Sequence, residues 1–171
     1  MGKITVPEPI NITHCLDNFD CGIQVLNQWM KRQALANESS GASRTFVVCE
    51  NRFIKQHVIG FYALATGSVR PGDAPGSIKR QMPDPIPVMV LGRLAVDLHW
   101  QKKGVGSALL KDAVLRTRTV AKQAGIRALI VHALSDKAKN FYLHYGFQES
   151  PFNQMTLMLN LMAWESANHP D

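Results

Sequence analysis

The feature that most constrains this chain is a change of period between residues 88 and 106. Val88–Val96 is an apolar run of strand length, interrupted only by Gly92 and Arg93. Asp97-Leu98-His99-Trp100 follows, then Gln101-Lys102-Lys103-Gly104-Val105-Gly106. Beyond it, Val105, Ala108, Leu109, Ala113 and Val120 recur at helix spacing, predicting a helix over Gly104–Ala124 stopped by Gly125. Glycines between a strand and a helix let the backbone turn tightly and aim successive N–H groups at one point. The helix N-terminus adds partial positive charge, and Lys102 and Lys103 add full charges, so the loop suits a pyrophosphate. Two better-known phosphate sites are excluded. No G-x-x-x-x-G-K-S/T is present, and Gly104-Val105-Gly106 lacks the third glycine of a dinucleotide fingerprint.

The rest of the chain sets this loop in an α/β context. Helix spacing of Ile23, Leu26, Met30 and Ala34 predicts a helix over residues 21–36, with Asp20 as N-cap. Thr45–Glu50 and His57–Thr66 read as strands joined by a short polar connection. Val69–Pro87 holds Pro71, Pro75, Pro83, Pro85 and Pro87 and reads as an irregular excursion, long enough to be functional or disordered. Gly92 inside its strand suggests a bulge or a close backbone approach. Ala128–Ala133 is a further strand, Ser135 caps a helix over Asp136–Tyr145 that Gly146 stops, and Met155–Leu161 is the last strand. Asn168–Asp171 is expected to be a loose tail. Strands followed by strand–helix–strand–helix–strand imply a mixed sheet with flanking helices.

Composition narrows the function classes. The 171 residues suit one domain, and 46% apolar against 19% charged residues suffices for a packed core. No apolar run approaches the ~20 residues that cross a bilayer, and no secretory signal is evident. A cytoplasmic protein without membrane contact is therefore expected. Cys15, Cys21 and Cys49 are too few and too scattered for a disulfide framework or a zinc site. His14, His57, His99, His132, His144 and His169 make no ligand-spaced cluster, so no metal is expected. A net charge of +6 favours polyanionic partners. Charge alone does not separate a phosphorylated cofactor from RNA. Lys31-Arg32, Lys79-Arg80 and Arg93 lie outside the phosphate loop, and a cleft arginine needs a partner, for which RNA phosphate is a candidate.

The loop matches Q-x-x-G-x-G/A after a strand ending in Val96-Asp97, and Ala138-Lys139-Asn140-Phe141-Tyr142-Leu143-His144-Tyr145-Gly146-Phe147 matches A-x-x-F-Y-x-x-x-G-F. In both, in this order, the chain resembles the GNAT acetyltransferases. The resemblance implies a single GNAT domain over residues 1–171, with its core at about 10–162, splayed central strands and acetyl-CoA as cosubstrate. Leu94, Ala95 and Val96 would then face the pantetheine. Gln101, Lys102, Lys103, Gly104, Val105, Gly106 and Ser107 would hold the pyrophosphate, and Asn140 and Phe141 would belong to the same cofactor site. Tyr142 would give a proton to the leaving thiolate, with Tyr145 as the alternative. Ser135 stands where many relatives carry Asn, and it can still cap the helix.

Many relatives also place a Glu on the strand corresponding to Val88–Val96, and here that strand holds no carboxylate before Asp97. A lysine amine, with pKa ~10.4, is hard to deprotonate without a base, whereas an α-amine starts near ~7.7–8.0. The acceptor is therefore expected to be an α-amine. Phe19-Asp20-Cys21-Gly22-Ile23-Gln24-Val25-Leu26-Asn27-Gln28-Trp29, Leu91–Asp97 and Ala138–Phe147 together resemble a narrower group, the tRNA-acetylating GNAT toxins of type II toxin–antitoxin modules. That resemblance implies acetylation of the α-amine of aminoacyl-tRNA, a block of translation, a homodimer and a ribbon–helix–helix antitoxin. Lys31, Arg32, Lys79, Arg80 and Arg93 are the candidate tRNA-binding residues. An acetyltransferase of protein N-termini or small amines, and a non-catalytic CoA-binding module, are the alternatives.

Overall fold

The computed structural model describes residues 3–52 and 55–164. The chain-terminal stretch with His169 and Asn168–Asp171 lies outside the described residues. Described elements comprise strands β1 (Lys3–Ile4), β2 (Glu8–Pro9), β3 (His14–Cys15), β4 (Arg44–Arg52), β5 (Lys55–Val69), β6 (Ile86–Val96), β7 (Ala128–His132), β8 (Gln148–Glu149) and β9 (Thr156–Asn160). Helices are α1 (Gln24–Arg32), α2 (Ala34–Ser40), α3 (Gly76–Lys79), α4 (Val105–Ala121) and α5 (Asp136–His144), with 3₁₀ turns at Pro71–Asp73 and Leu98–Trp100. Hydrogen bonding orders the strands β1-β4-β5-β6-β7-β9-β8, with β2 on β4 and β3 on β5. The β4–β5 and β7–β9 ladders are antiparallel and the β6–β7 ladder is parallel, so the sheet is mixed.

Two compact units emerge, one of residues 1–65 with 92–113 and one of residues 66–91 with 114–171. Strands β5 and β6 contribute to both. The first unit is filled by Phe19, Leu26, Trp29, Met30, Val47, Phe61 and Ala95, with Trp29 stacked on Phe61 at 5.9 Å between ring centroids. Burying a side chain of this size stabilises by roughly 1.5–3 kcal/mol. Helix α4 lies close on β5 because Gly60 has no side chain. A Cβ there would meet Leu109 Cδ1 at 2.9 Å and Val105 Cγ1 at 3.3 Å. The Tyr62 hydroxyl also donates to Asp112 on α4.

Several expectations need correction. The helix expected over 21–36 is two helices that meet at Gln33, whose φ is −115°. The first begins at Gln24 behind Ile23, without a side-chain cap. Asp20 instead lies one turn earlier, where its carboxylate accepts from Gly22 N–H and Asn27 Nδ2, both at 2.9 Å. Helix α4 stops at Ala121, short of Ala124 and Gly125. Its buried face holds Val105, Leu109, Leu110, Ala113 and Val114, whereas Ala108 and Val120 are exposed.

The excursion after Val69 is ordered. Its Ala74 and Ile78 join Ile86, Val88, Ala128, Ile130 and Met158 in the core of the second unit. Arg127 donates from Nε to Ile78 O at 3.0 Å, and Ser150 Oγ to Asp73 O at 2.7 Å, which ties it down. Strand β6 runs unbroken through Gly92 and Arg93, but its ladder with β7 ends at Leu91↔Val131. Strands β1, β2, β3 and β8 are each two residues long, too short to leave a period in the sequence.

Candidate functional site

In the first unit, the chain leaves β6 at Val96 and turns through Leu98–Trp100 into the 101–106 loop. Asp97 makes that turn: its Oδ1 accepts from His99 N–H at 2.9 Å and its Oδ2 from Asp20 N–H at 3.0 Å. Two residues of the loop have left-handed backbone, Lys102 at φ +62° and Gly104 at φ +84°. A non-glycine residue in this region is strained by about 1–3 kcal/mol, and such strain collects at functional positions. Nothing lies within 4 Å of where a Gly104 Cβ would stand, so the space before the turn is open. The N–H groups of Lys102, Lys103 and Gly104 have no acceptor among the described residues. Lys103 Nζ lies 5.2 Å from the centroid of the Trp100 ring. Exposed lysines and undonated amides at the start of α4 make a place for an anion.

Gln101 behaves differently from its neighbours. Its Nε2 donates to Cys21 O at 3.0 Å and to Val96 O at 2.9 Å, so the side chain is turned into the protein. On β6, Ala95 is buried while Leu94 and Val96 are half-buried. The guanidinium carbon of Arg93 sits 4.5 Å from the Trp29 ring centroid. An aromatic face therefore lies beside this arginine, and burial lowers its pKa from the ordinary value. No carboxylate pairs with it among the described residues. Lys31 and Arg32 are exposed on the last turn of α1, the helix that carries Trp29.

In the second unit, Ser135 Oγ accepts from Ala138 N–H at 3.1 Å and starts α5, and Gly146 at φ +91° ends it. Tyr142 packs between Phe141 and Phe147, with ring centroids at 5.2 and 5.3 Å. It is 5% exposed, and burial pushes its phenol pKa well above the ordinary tyrosine value. Its hydroxyl has no hydrogen-bond partner among the described residues. Tyr145 is only half-buried, edge-on to Phe141 and His144. Asn140 is exposed and Phe141 half-buried on the same helix. Lys79 and Arg80, at the end of α3, are exposed.

Two groupings escaped the sequence because distant strands build them. Glu50, His57, Asp97, His99 and Trp100 line a cavity of about 430 Å³ in the first unit. Glu8, His14 and Cys49 bring their ligand atoms within 4.8 Å of one another. His14 Nδ1 accepts from Asn11 N–H at 3.0 Å and its Nε2 lies 2.8 Å from Glu8 Oε1, so both ring nitrogens are engaged. Burial pushes the Cys49 thiol up to about 12, and the thiol stays protonated.

The chain belongs to the GNAT acetyltransferase family: residues 42–149 match the acetyltransferase (GNAT) domain. It is 45% identical over 159 residues, 93% of each chain, to the tRNA-acetylating toxin of Mycobacterium tuberculosis. Its fold matches AtaT complexed with acetyl-methionyl-tRNAfMet at a TM-score of 0.87, with 27% identity, covering 95% of this chain and 98% of that one. It also matches a tyrosine-to-phenylalanine mutant of AtaT bound to acetyl-CoA and the C-terminus of the antitoxin AtaR. There the TM-score is 0.81 and the identity 27%, over 95% of this chain and 96% of that one.

Proposed function

We propose that this protein is a toxin that moves the acetyl group of acetyl-CoA to the α-amine of aminoacyl-tRNA and so blocks translation. The observation that carries this reading is the 45% identity, along 93% of both chains, to a tRNA-acetylating toxin. The amine nitrogen attacks the thioester carbonyl carbon, a C–N bond forms, and the C–S bond breaks. Tyr142 donates a proton to the departing thiolate, and the nitrogen loses its extra proton to water. A β6 backbone N–H near Leu94 or Ala95 stabilises the carbonyl oxygen as it gains charge. The open turn at Lys102, Lys103 and Gly104, continued by Val105, Gly106 and Ser107, takes the pyrophosphate, with Leu94 and Val96 along the pantetheine. Asn140 and Phe141 complete the cofactor site.

Lys31, Arg32, Lys79, Arg80 and Arg93 take the tRNA backbone. Arg93, desolvated against Trp29 and without a carboxylate, is suited to an incoming phosphate. The protein acts as a cytoplasmic homodimer and is neutralised by a ribbon–helix–helix antitoxin. Among the described residues, no helix is long and apolar enough to cross a membrane. The test incubates the enzyme with labelled acetyl-CoA and either charged or deacylated tRNA. Label on charged tRNA that disappears when the ester is hydrolysed supports the reading. Equal labelling of deacylated tRNA, or labelling only of proteins and polyamines, overturns it.

A further inference from the structure

The 101–106 loop is held from behind by the turn at Asp20-Cys21-Gly22. In Asp20-Cys21-Gly22, five backbone groups are committed. Asp20 N–H donates to Asp97 Oδ2 at 3.0 Å, and Asp20 O accepts from Leu98 N–H at 2.8 Å. Cys21 N–H donates to Asn27 Oδ1 at 2.9 Å, and Cys21 O accepts from Gln101 Nε2 at 3.0 Å. Gly22 N–H donates to Asp20 Oδ1 at 2.9 Å, an oxygen that also accepts from Asn27 Nδ2 at 2.9 Å. Gly22 has φ +86°, and a Cβ there would stand 3.1 Å from Leu98 Cδ2. Asn27 is 6% exposed, so its amide is a fixed internal strut.

We propose that this turn is the brace of the phosphate loop and that Asn27 and Gln101 are positioning residues for acetyl-CoA. They set affinity for the 3′-phospho-ADP half of the cosubstrate without touching it. This rests on reading the loop as the acetyl-CoA site. Gln101 has two amide hydrogens, and Cys21 O and Val96 O take one each. The side chain therefore has no donor left for a phosphate, and its remaining oxygen repels one. What it does is hold the end of β6 and the 20–22 turn against the loop. Fixing a loop costs backbone entropy for each residue ordered. Here folding has already met that cost, so the amides of Lys102, Lys103 and Gly104 await the anion in place.

The test compares acetyl-CoA with acetyl-pantetheine, which carries the same thioester without the 3′-phospho-ADP, using charged tRNA as acceptor. The variants are Gln101→Met, which keeps length and removes the amide, and Asn27→Asp, which keeps the bond to Cys21 N–H and sets a carboxylate against Asp20. Both should lower kcat/KM for acetyl-CoA by about ten- to a hundredfold, as expected for two lost hydrogen bonds in Gln101→Met and one turned repulsive in Asn27→Asp. Turnover at saturating acetyl-CoA and kcat/KM for acetyl-pantetheine should stay near wild type. Equal losses with both donors would reduce the brace to general stability, and no loss with either would remove it. A loss in Gln101→Met alone would mean that Gln101 touches the phosphate directly, against the proposal. A wild-type enzyme that does not prefer acetyl-CoA would instead overturn the reading of the loop itself.

Discussion

The 101–106 loop and helix α5 are fixed by opposite means. The loop is held by hydrogen bonds: Asp97 takes two backbone amides, and Gln101 ties two carbonyls together. Tyr142 is held by rings, with Phe141 and Phe147 within 5.3 Å and no hydrogen bond on its hydroxyl among the described residues. The difference suits the roles proposed for the two. An anion site needs oriented dipoles, and polar fixings keep the remaining N–H groups aimed outward. A proton donor needs its proton, and an apolar shelf disfavours the phenolate.

The largest test of this contrast is Tyr142→Phe, which removes one oxygen and leaves the ring packing. Loss of a general acid should lower kcat by ~10²–10⁴-fold, while calorimetry finds acetyl-CoA binding unchanged. A variant near full rate would pass the role to Tyr145 or to water. Gly104→Glu attacks the other region by placing a side chain on a left-handed residue and a negative charge in the open turn. Acetyl-CoA affinity should fall by about a hundredfold, equal to ~2.7 kcal/mol, in a variant shown by circular dichroism to be folded. Unchanged affinity would move the cofactor elsewhere.

Smaller effects should come from the surface. Lys79→Ala with Arg80→Ala removes two exposed charges on α3 without touching Ala74 or Ile78 in the core. The KM for charged tRNA should rise severalfold, and the slope of log KM against log salt should flatten by about 1–2, as for two lost phosphate contacts. Acetyl-CoA binding should not change, and an unaltered salt slope would take these residues out of the tRNA surface.

The pH profile sharpens the contrast with the least perturbation. With the Tyr142 pKa raised by burial, the donor form persists to higher pH than an ordinary phenol allows. Activity should rise through the acceptor amine, near or below ~7.7–8.0, and stay level towards ~pH 10, where free tyrosine titrates. A falling limb below that point, absent in Tyr142→Phe, would show an ionisable phenol and refute the apolar shelf.

Legibility in the sequence followed range. Strand β6, the helix starting at Val105, strand β7, the Ser135-capped helix and β9 are long or well-punctuated segments, and each emerged close to where it was read. The break at Gln33 and the early stop at Ala121 left no signal, because periodicity registers which face is apolar and not where the backbone departs from it. The excursion after Val69 is irregular, as read, but not disordered, for a related reason. Pro71, Pro75 and Pro83 do lie outside strand, but Pro87 falls within β6, and Ala74 and Ile78 anchor the segment through a core that only folding assembles.

By itself, the sequence determined the family and the order of elements, and it marked the glycine turn before α4 and the tyrosine on α5. Each rests on residues close together in the chain, where backbone geometry depends on local side chains: glycine where φ is positive, serine at a helix start. Only the tertiary structure decided how those parts are held. It set the Gln101 amide against Cys21 O and Val96 O, and placed Arg93 over the Trp29 ring. It also buried Tyr142 more deeply than Tyr145. Most of these contacts join residues far apart in the chain. Their energies depend on distance and burial, which come into being only when the chain has folded.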